Sequence, residues 1–275
     1  MGASEDYRKT IYGRPATVKA KLNLFNNHIA PYVRPMDADQ FALRVIQDWQ
    51  DNDLSVGTVK MLFVLLKDFV KFAWGHELDT KRLNFQHFSG DMKARPRLKV
   101  WTVAQVGIAL EVAGRFDVEL CDVMTVALGT GLRKGELFGL TWEDVDILSG
   151  TIDVNKSLDT ETGAIGPTKT KQARTVQMSG MVAKVMEKGY TPGKEGDRCF
   201  RTFNPNKRLA KLCRIACVPE ISFHDLRHTF ATTCLEKGMS PKWVSSSLGH
   251  AKLTTTLDVY WQHFQEKVNL ENLYE

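Results

Sequence analysis

The clearest periodicity in the chain runs from Val59 to Trp74. Apolar residues fall at Leu62, Leu65, Leu66, Phe69 and then Phe72 or Ala73, the spacing of one buried helical stripe. Lys60, Lys67 and Lys71 lie off that stripe, on a face read as solvated. Two further helices are predicted before it. One covers Ala16 to His28; the other covers Asp39 to Gln50, with Phe41, Val45, Ile46 and Trp49 on one side. After Gly75 the pattern dissolves. The segment Asn84 to Lys99 holds a Ser-Gly step, Pro96 and the bases Lys93, Arg95, Arg97 and Lys99, which reads as an interdomain linker.

The pattern restarts at Trp101, with Thr102 placed to cap a helix from near Val103. A second helix covers Val118 to Leu128. Gly129-Thr130-Gly131 reads as a tight loop, and Leu132 to Leu140 as a short helix. From Val145 to Val154, two β-rich arms flank Ser149-Gly150, a hairpin signal. Arg174 to Met178 alternates as a further strand. Helices resume near Met181 and continue through Lys207–Cys217, Asp225–Lys237 and Lys242–Leu248. The expected fold is mainly α with a small antiparallel β-sheet: an α+β domain at 96–275 behind an all-α domain at 1–95. No internal repeat is visible.

Composition narrows the function classes. The 275 residues suffice for two modest domains, and 43% hydrophobic with 25% charged residues is ordinary for a globular protein. No apolar run approaches the roughly 18 residues of a membrane span. The start, MGASEDYRKT, lacks an apolar core for a secretory signal, so a cytoplasmic location is expected. A net charge of +5 leans toward an anionic partner. The five cysteines are an odd set, read as free thiols. Cys213 and Cys217 lie four apart without a second pair at zinc spacing, and are read as helix packing.

Four short motifs carry chemistry. Arg133, in Thr130-Gly131-Leu132-Arg133-Lys134-Gly135-Glu136, opens a helix after a glycine-bearing loop, where helix amides and a guanidinium together favour an anion. Glu136, one turn on, either steadies Arg133 or forms a surface pair with it. His224 and Arg227 in Phe223-His224-Asp225-Leu226-Arg227-His228 share a helix face, which suits binding a phosphate and moving a proton. Ser247-Leu248-Gly249-His250 ends a helix, and Tyr260 follows ten residues later. Each piece alone also fits a surface pair, a cap or a packing residue.

Taken in order, the pieces resemble the catalytic domain of the tyrosine recombinase (phage integrase) family. The wording between them is similar too: Leu140-Thr141-Trp142-Glu143-Asp144-Val145 after the first motif, and His228-Thr229-Phe230-Ala231 after the second. The resemblance spans Trp101 to about Phe264.

It implies a site-specific DNA strand transferase. Arg133, Arg227 and His250 would hold the scissile phosphate, supported by Glu136. Tyr260 would attack it, with His224 as proton acceptor. The family's hairpin lysine would protonate the 5′ oxygen: here Lys169 in Pro167-Thr168-Lys169-Thr170-Lys171, with Lys171 as the alternative. The product would be a 3′-phosphotyrosyl link, made without ATP, cofactor or metal.

The expected partners are double-stranded DNA core sites, a homo-tetramer on synapsed DNA, and DNA-bending accessory proteins; no membrane is expected. Lys93, Arg95, Arg97, Lys99, Lys171 and Arg174 are the expected DNA contacts, and residues 1–95 the core-site DNA-binding domain. Phe264, Val268, Leu270 and Leu273 would anchor a C-terminal segment on a neighbouring protomer or fold back in cis. With the catalytic part starting near residue 100, no obvious room remains for an arm-binding module. Phage integrase, Xer-type resolvase and transposon recombinase stay open. Two readings compete with them: a non-catalytic DNA-binding protein of the same fold, and a type IB topoisomerase-like enzyme.

Overall fold

The computed structural model describes residues 2–13, 15–34, 37–52, 54–75, 98–160, 162–168, 173–257 and Tyr260. Two compact units divide the chain, Met1–Pro96 and Arg97–Glu275. Most of the basic linker, with Lys93, Arg95 and Arg97, lies outside the described residues; Lys99 is described and exposed.

The first unit is helical among its described residues: α1 (Gly2–Thr10), α2 (Pro15–His28), α3 (Ala38–Asp51) and α4 (Val56–Trp74). Asp37 caps α3 by accepting from the amide of Gln40, and Ser55 caps α4 through Thr58. Gly75 closes α4 at φ 73°, a left-handed stop that glycine adopts without a Cβ clash. The stripe on α4 is fully internal, with Leu62, Leu65, Leu66 and Phe69 all at 1% exposure or less. Phe72 is exposed and Ala73 packs against the core, which resolves the alternative at the end of the stripe. Lys60, Lys67 and Lys71 face outward. Helix α1 escaped the periodicity because it docks through a single aromatic. Tyr7 is buried, donates to the Leu65 carbonyl at 3.2 Å, and meets the rings of Phe25 and Phe69.

The second unit opens with α5 (Val103–Phe116), capped reciprocally by Thr102 and Gln105. Next come α6 (Val118–Thr130) and α7 (Lys134–Gly139). Gly129 and Thr130 complete α6 rather than forming the expected loop; only Gly131, at φ 66°, turns the chain. Thr130 stays helical because its hydroxyl bonds the Val126 carbonyl one turn back, at 2.6 Å.

Strands β1 (Val145–Asp146) and β2 (Thr151–Val154) form the expected hairpin, with Gly150 at φ 69° in the turn. Strands β3 (Lys156–Leu158) and β4 (Ile165–Pro167) pair antiparallel as a second sheet, where one sheet was expected. Only Leu158 of these six residues is buried, so no alternation announced them. Strand β5 (Arg174–Gln177) pairs with β2 and completes a β1-β2-β5 sheet. Strand β3 lies tight on α7: a Cβ at Gly135 or Gly139 would meet the Leu158 backbone at 2.8 or 2.9 Å.

Four helices complete the described unit: α8 (Gly180–Gly189), α9 (Pro205–Ala216), α10 (Phe223–Glu236) and α11 (Pro241–Leu248). The main core spans α5 to α10 with β2 and β5. Cys213 is buried in it as expected. Cys217 corrects the packing expectation: it is exposed and ends α9 at φ 52°. A smaller cluster gathers Phe230, Ala231 and Cys234 of α10, Val244 and Leu248 of α11, and Tyr260. Among the described residues no helix is long and apolar enough to cross a membrane.

Candidate active site

The site is built on the C-terminal end of α11. The last carbonyls of a helix lack intrahelical partners and carry partial negative charge. Here three arginines from three separate elements take three successive ones. Arg174 on β5 donates Nε to the Ser247 carbonyl at 2.7 Å. Arg227 on α10 donates Nη2 to that of Leu248 at 2.7 Å, and Arg133 before α7 donates Nη2 to that of Gly249 at 3.3 Å. Arg227 also donates Nη1 to the Gly131 carbonyl at 2.7 Å.

The two loop glycines permit this convergence. A Cβ on Gly131 would fall 2.5 Å from Cδ1 of Phe230. One on Gly249, which has φ 65°, would fall 2.8 Å from the Arg174 guanidinium.

Glu136 locks two of the guanidiniums. It is 1% exposed, accepts from Arg133 Nη1 at 2.8 Å, and meets Arg174 Nη1 and Nη2 at 3.2 and 2.7 Å. The Arg133 amide adds a fourth bond at 3.0 Å. Burial alone would raise the carboxyl pKa, but the arginine bonds outweigh it and hold it at about 2. Three guanidiniums thus face one carboxylate. The surplus positive charge is what an anion site requires. Burial, then neighbouring Arg133, pulls Arg227 down to about 9, still protonated at neutral pH. Arg227 is 3% exposed, whereas the Arg133 side chain remains 23% exposed.

The histidines border this cluster. His250 sits just past Gly249, with Nδ1 2.8 Å from the Thr256 hydroxyl. Burial first, then Arg227 and Arg133, pushes its pKa to about 4, so it is neutral at pH 7. A cleft of about 300 Å³ opens beside it, lined by Arg174, Lys242, Ser245, Ser246, Gly249 and His250 among others. His224 lies exposed in the first turn of α10, its ring meeting that of His228 edge to face at 4.8 Å.

The Tyr260 hydroxyl lies 3.0 Å from Nδ1 of His228. Tyr260 is 2% exposed, and burial raises its phenol pKa well above the ordinary value, against the pull of Arg227. Burial, reinforced by His224, lowers His228 to about 4.

Of the residues singled out from sequence, Arg133, Glu136 and Arg227 meet within one network, with His250 next along the chain and Tyr260 behind α10. Arg174, expected to reach outward to DNA, is instead nearly buried with its three guanidinium nitrogens bound inside the chain. His228 went unremarked in sequence although it stands beside Arg227. Its signal was there: one turn from His224, it shares that helix face. Lys169, Lys171 and the expected C-terminal anchors lie outside the described residues.

A sequence profile described as "Phage integrase family" matches residues 109–267. The chain belongs to the phage integrase family. Among its relatives, the ICEBs1 integrase of Bacillus subtilis (strain 168) is 23% identical over 282 residues, covering 94% of this chain and 76% of the relative. The tyrosine recombinase XerC of Vibrio atlanticus (strain LGP32) is 32% identical over 173 residues, 61% of this chain and 56% of the relative.

Solved integrases share the fold. A Tn1549 transposon integrase, in complex with a circular intermediate DNA, superposes with TM-score 0.74 at 24% identity, covering 97% of this chain and 99% of that one. A lambda integrase dimer bound to a COC′ core site gives 0.65 at 17% identity, covering 94% and 76%. The family match includes α6 to α11 and Tyr260, and so all of the arginine cluster.

Proposed function

We propose that this phage integrase family member is a site-specific DNA recombinase that cleaves and rejoins strands through Tyr260. The observation that carries the reading is the convergence of Arg133, Arg174 and Arg227 on one helix end, with Glu136 the one carboxylate paired with any of them among the described residues. A phosphodiester is anionic and repels nucleophiles, so its attack needs concentrated, pre-positioned positive charge. Arg133 and Arg227 each have donor capacity beyond the bonds described, in the fork geometry that fits two phosphate oxygens. His250, at the edge of the same cluster, adds a donor as the transition state gains charge.

In the first step the Tyr260 oxygen bonds to phosphorus and the bond from phosphorus to the 5′ oxygen breaks. The phenol proton passes to His224, and Lys169 protonates the departing oxygen. The phosphotyrosyl link keeps the energy of the broken diester, so attack by another 5′ hydroxyl rejoins DNA without ATP. Residues 1–95 serve as the core-site DNA-binding domain, and 96–275 as the catalytic domain. Four protomers act on two synapsed duplexes, aided by DNA-bending proteins. Support for duplex DNA as substrate comes from the DNA-bound states of the structurally similar Tn1549 and lambda integrases.

The test is strand exchange between two labelled duplexes carrying core sites of the host element, in buffer with chelator and no nucleotide. Joined products of exchanged parentage are expected. Relaxation of supercoils without any exchanged product would favour the topoisomerase-like reading instead.

A further inference from the structure

We propose that His228 is a positioning residue for the nucleophile: its Nδ1 holds the Tyr260 hydroxyl in a sheltered resting place that DNA engagement must open. The inference rests on the reading of Tyr260 as nucleophile.

The hydroxyl lies 3.0 Å from Nδ1 of His228, and the tyrosine packs with Phe230, Ala231, Val244 and Leu248 at 2% exposure. Attack requires reacting atoms to approach within about 3–3.5 Å. A phosphodiester on a rigid duplex cannot come that near an oxygen so enclosed, so Tyr260 must leave this place to react. A buried hydroxyl that leaves one partner needs another, which makes the imidazole a selective hold on the resting state.

The electrostatics agree with a clasp and disfavour a proton transfer to His228. Burial lowers the imidazole to about 4 and raises the phenol, so both partners are held neutral. An activated pair would show the opposite shifts. Transfer from such a phenol to such a base is steeply uphill, which leaves proton acceptance to the exposed His224. His228 is well placed for the holding role. It stands one turn from His224 and next to Arg227, whose Nη1 and Nη2 each donate one bond, to the Gly131 and Leu248 carbonyls.

The test uses the full chain and a nicked suicide duplex carrying the core site. First-turnover adduct formation is compared for wild type, His228→Leu, which removes the acceptor, and His228→Asn, which keeps one near the same place. The clasp predicts adduct formation on the order of two- to tenfold faster for His228→Leu at unchanged DNA affinity, the equilibrium worth of one net hydrogen bond. His228→Asn should return toward the slower wild-type rate.

Slower or unchanged adduct formation in His228→Leu overturns the proposal, and a loss shared by both variants moves His228 into the proton transfer. A second readout needs no variant. Tetranitromethane nitration of the free wild-type protein, mapped by peptide mass, should spare Tyr260 until DNA is added; ready nitration of Tyr260 without DNA overturns the clasp. An adduct that persists in Tyr260→Phe would overturn the nucleophile assignment instead, and nitration would still read the clasp by itself.

Discussion

Oε2 of Glu136 lies 2.7 Å from Nη2 of Arg174, and neither side chain is more than 9% exposed. This pair ties β5 to α7, and through Arg133 and the Ser247 carbonyl it ties both to the end of α11. Arg133 and Arg174 therefore rest on a buried carboxylate rather than on solvent.

The pair sets an acid limit on stability. The Glu136 carboxyl is lowered from 4.5 to about 2, so its contribution is fully present above about pH 4.5 and is lost as pH falls toward 2. The shift corresponds to roughly 3 kcal/mol by linkage. Glu136→Gln, which leaves buried guanidiniums without their counter-charge, should cost about 3–5 kcal/mol near neutral pH and show a flatter acid limb. Thermal melting from pH 7 to 3 measures both; parallel acid limbs for the two proteins would count against the pair.

Arg227→Ala should separate chemistry from binding. Arg227 faces the proposed phosphate site, while duplex affinity is spread over many phosphate contacts. Cleavage is expected to fall about 10²–10³-fold, the usual loss for one transition-state donor. Core-site affinity in a gel-shift titration should change far less. Equal losses in both would remove Arg227 from the reaction. Melting curves guard against a trivial fold defect, since the truncation also frees the Gly131 and Leu248 carbonyls.

Lys169→Ala should be slow on ordinary DNA and recover on a duplex with a 5′-bridging phosphorothiolate, whose thiolate leaves without a proton. Single-turnover cleavage of the two substrates reads the difference. Recovery by Lys171→Ala, with none for Lys169→Ala, would transfer the role to Lys171.

Much of the helical framework was legible where a helix carries its own stripe or cap. The α4 stripe is the plainest case, and Thr102 and Gln105 write the start of α5 in four residues. Helix α1 and the β3–β4 pair were not legible. Each is held by one buried residue, Tyr7 and Leu158, and a single contact makes no period.

The site divides in the same way. Arg133, His224, Arg227, His250 and Tyr260 stand in motifs with familiar neighbours. Arg174 and His228 act through partners far along the chain, Glu136 38 residues away and Tyr260 32 residues away, and no local pattern encodes such pairings.

The proposed reaction turns on a covalent bond between Tyr260 and DNA. The direct measurement is to incubate the protein with nicked suicide duplexes of the core site, denature, and map the DNA-linked peptide by mass. A 3′-phosphotyrosyl peptide containing Tyr260 is expected, with no adduct from Tyr260→Phe. An adduct mapping to any other residue, or none from wild type on a site it demonstrably binds and synapses, would contradict it.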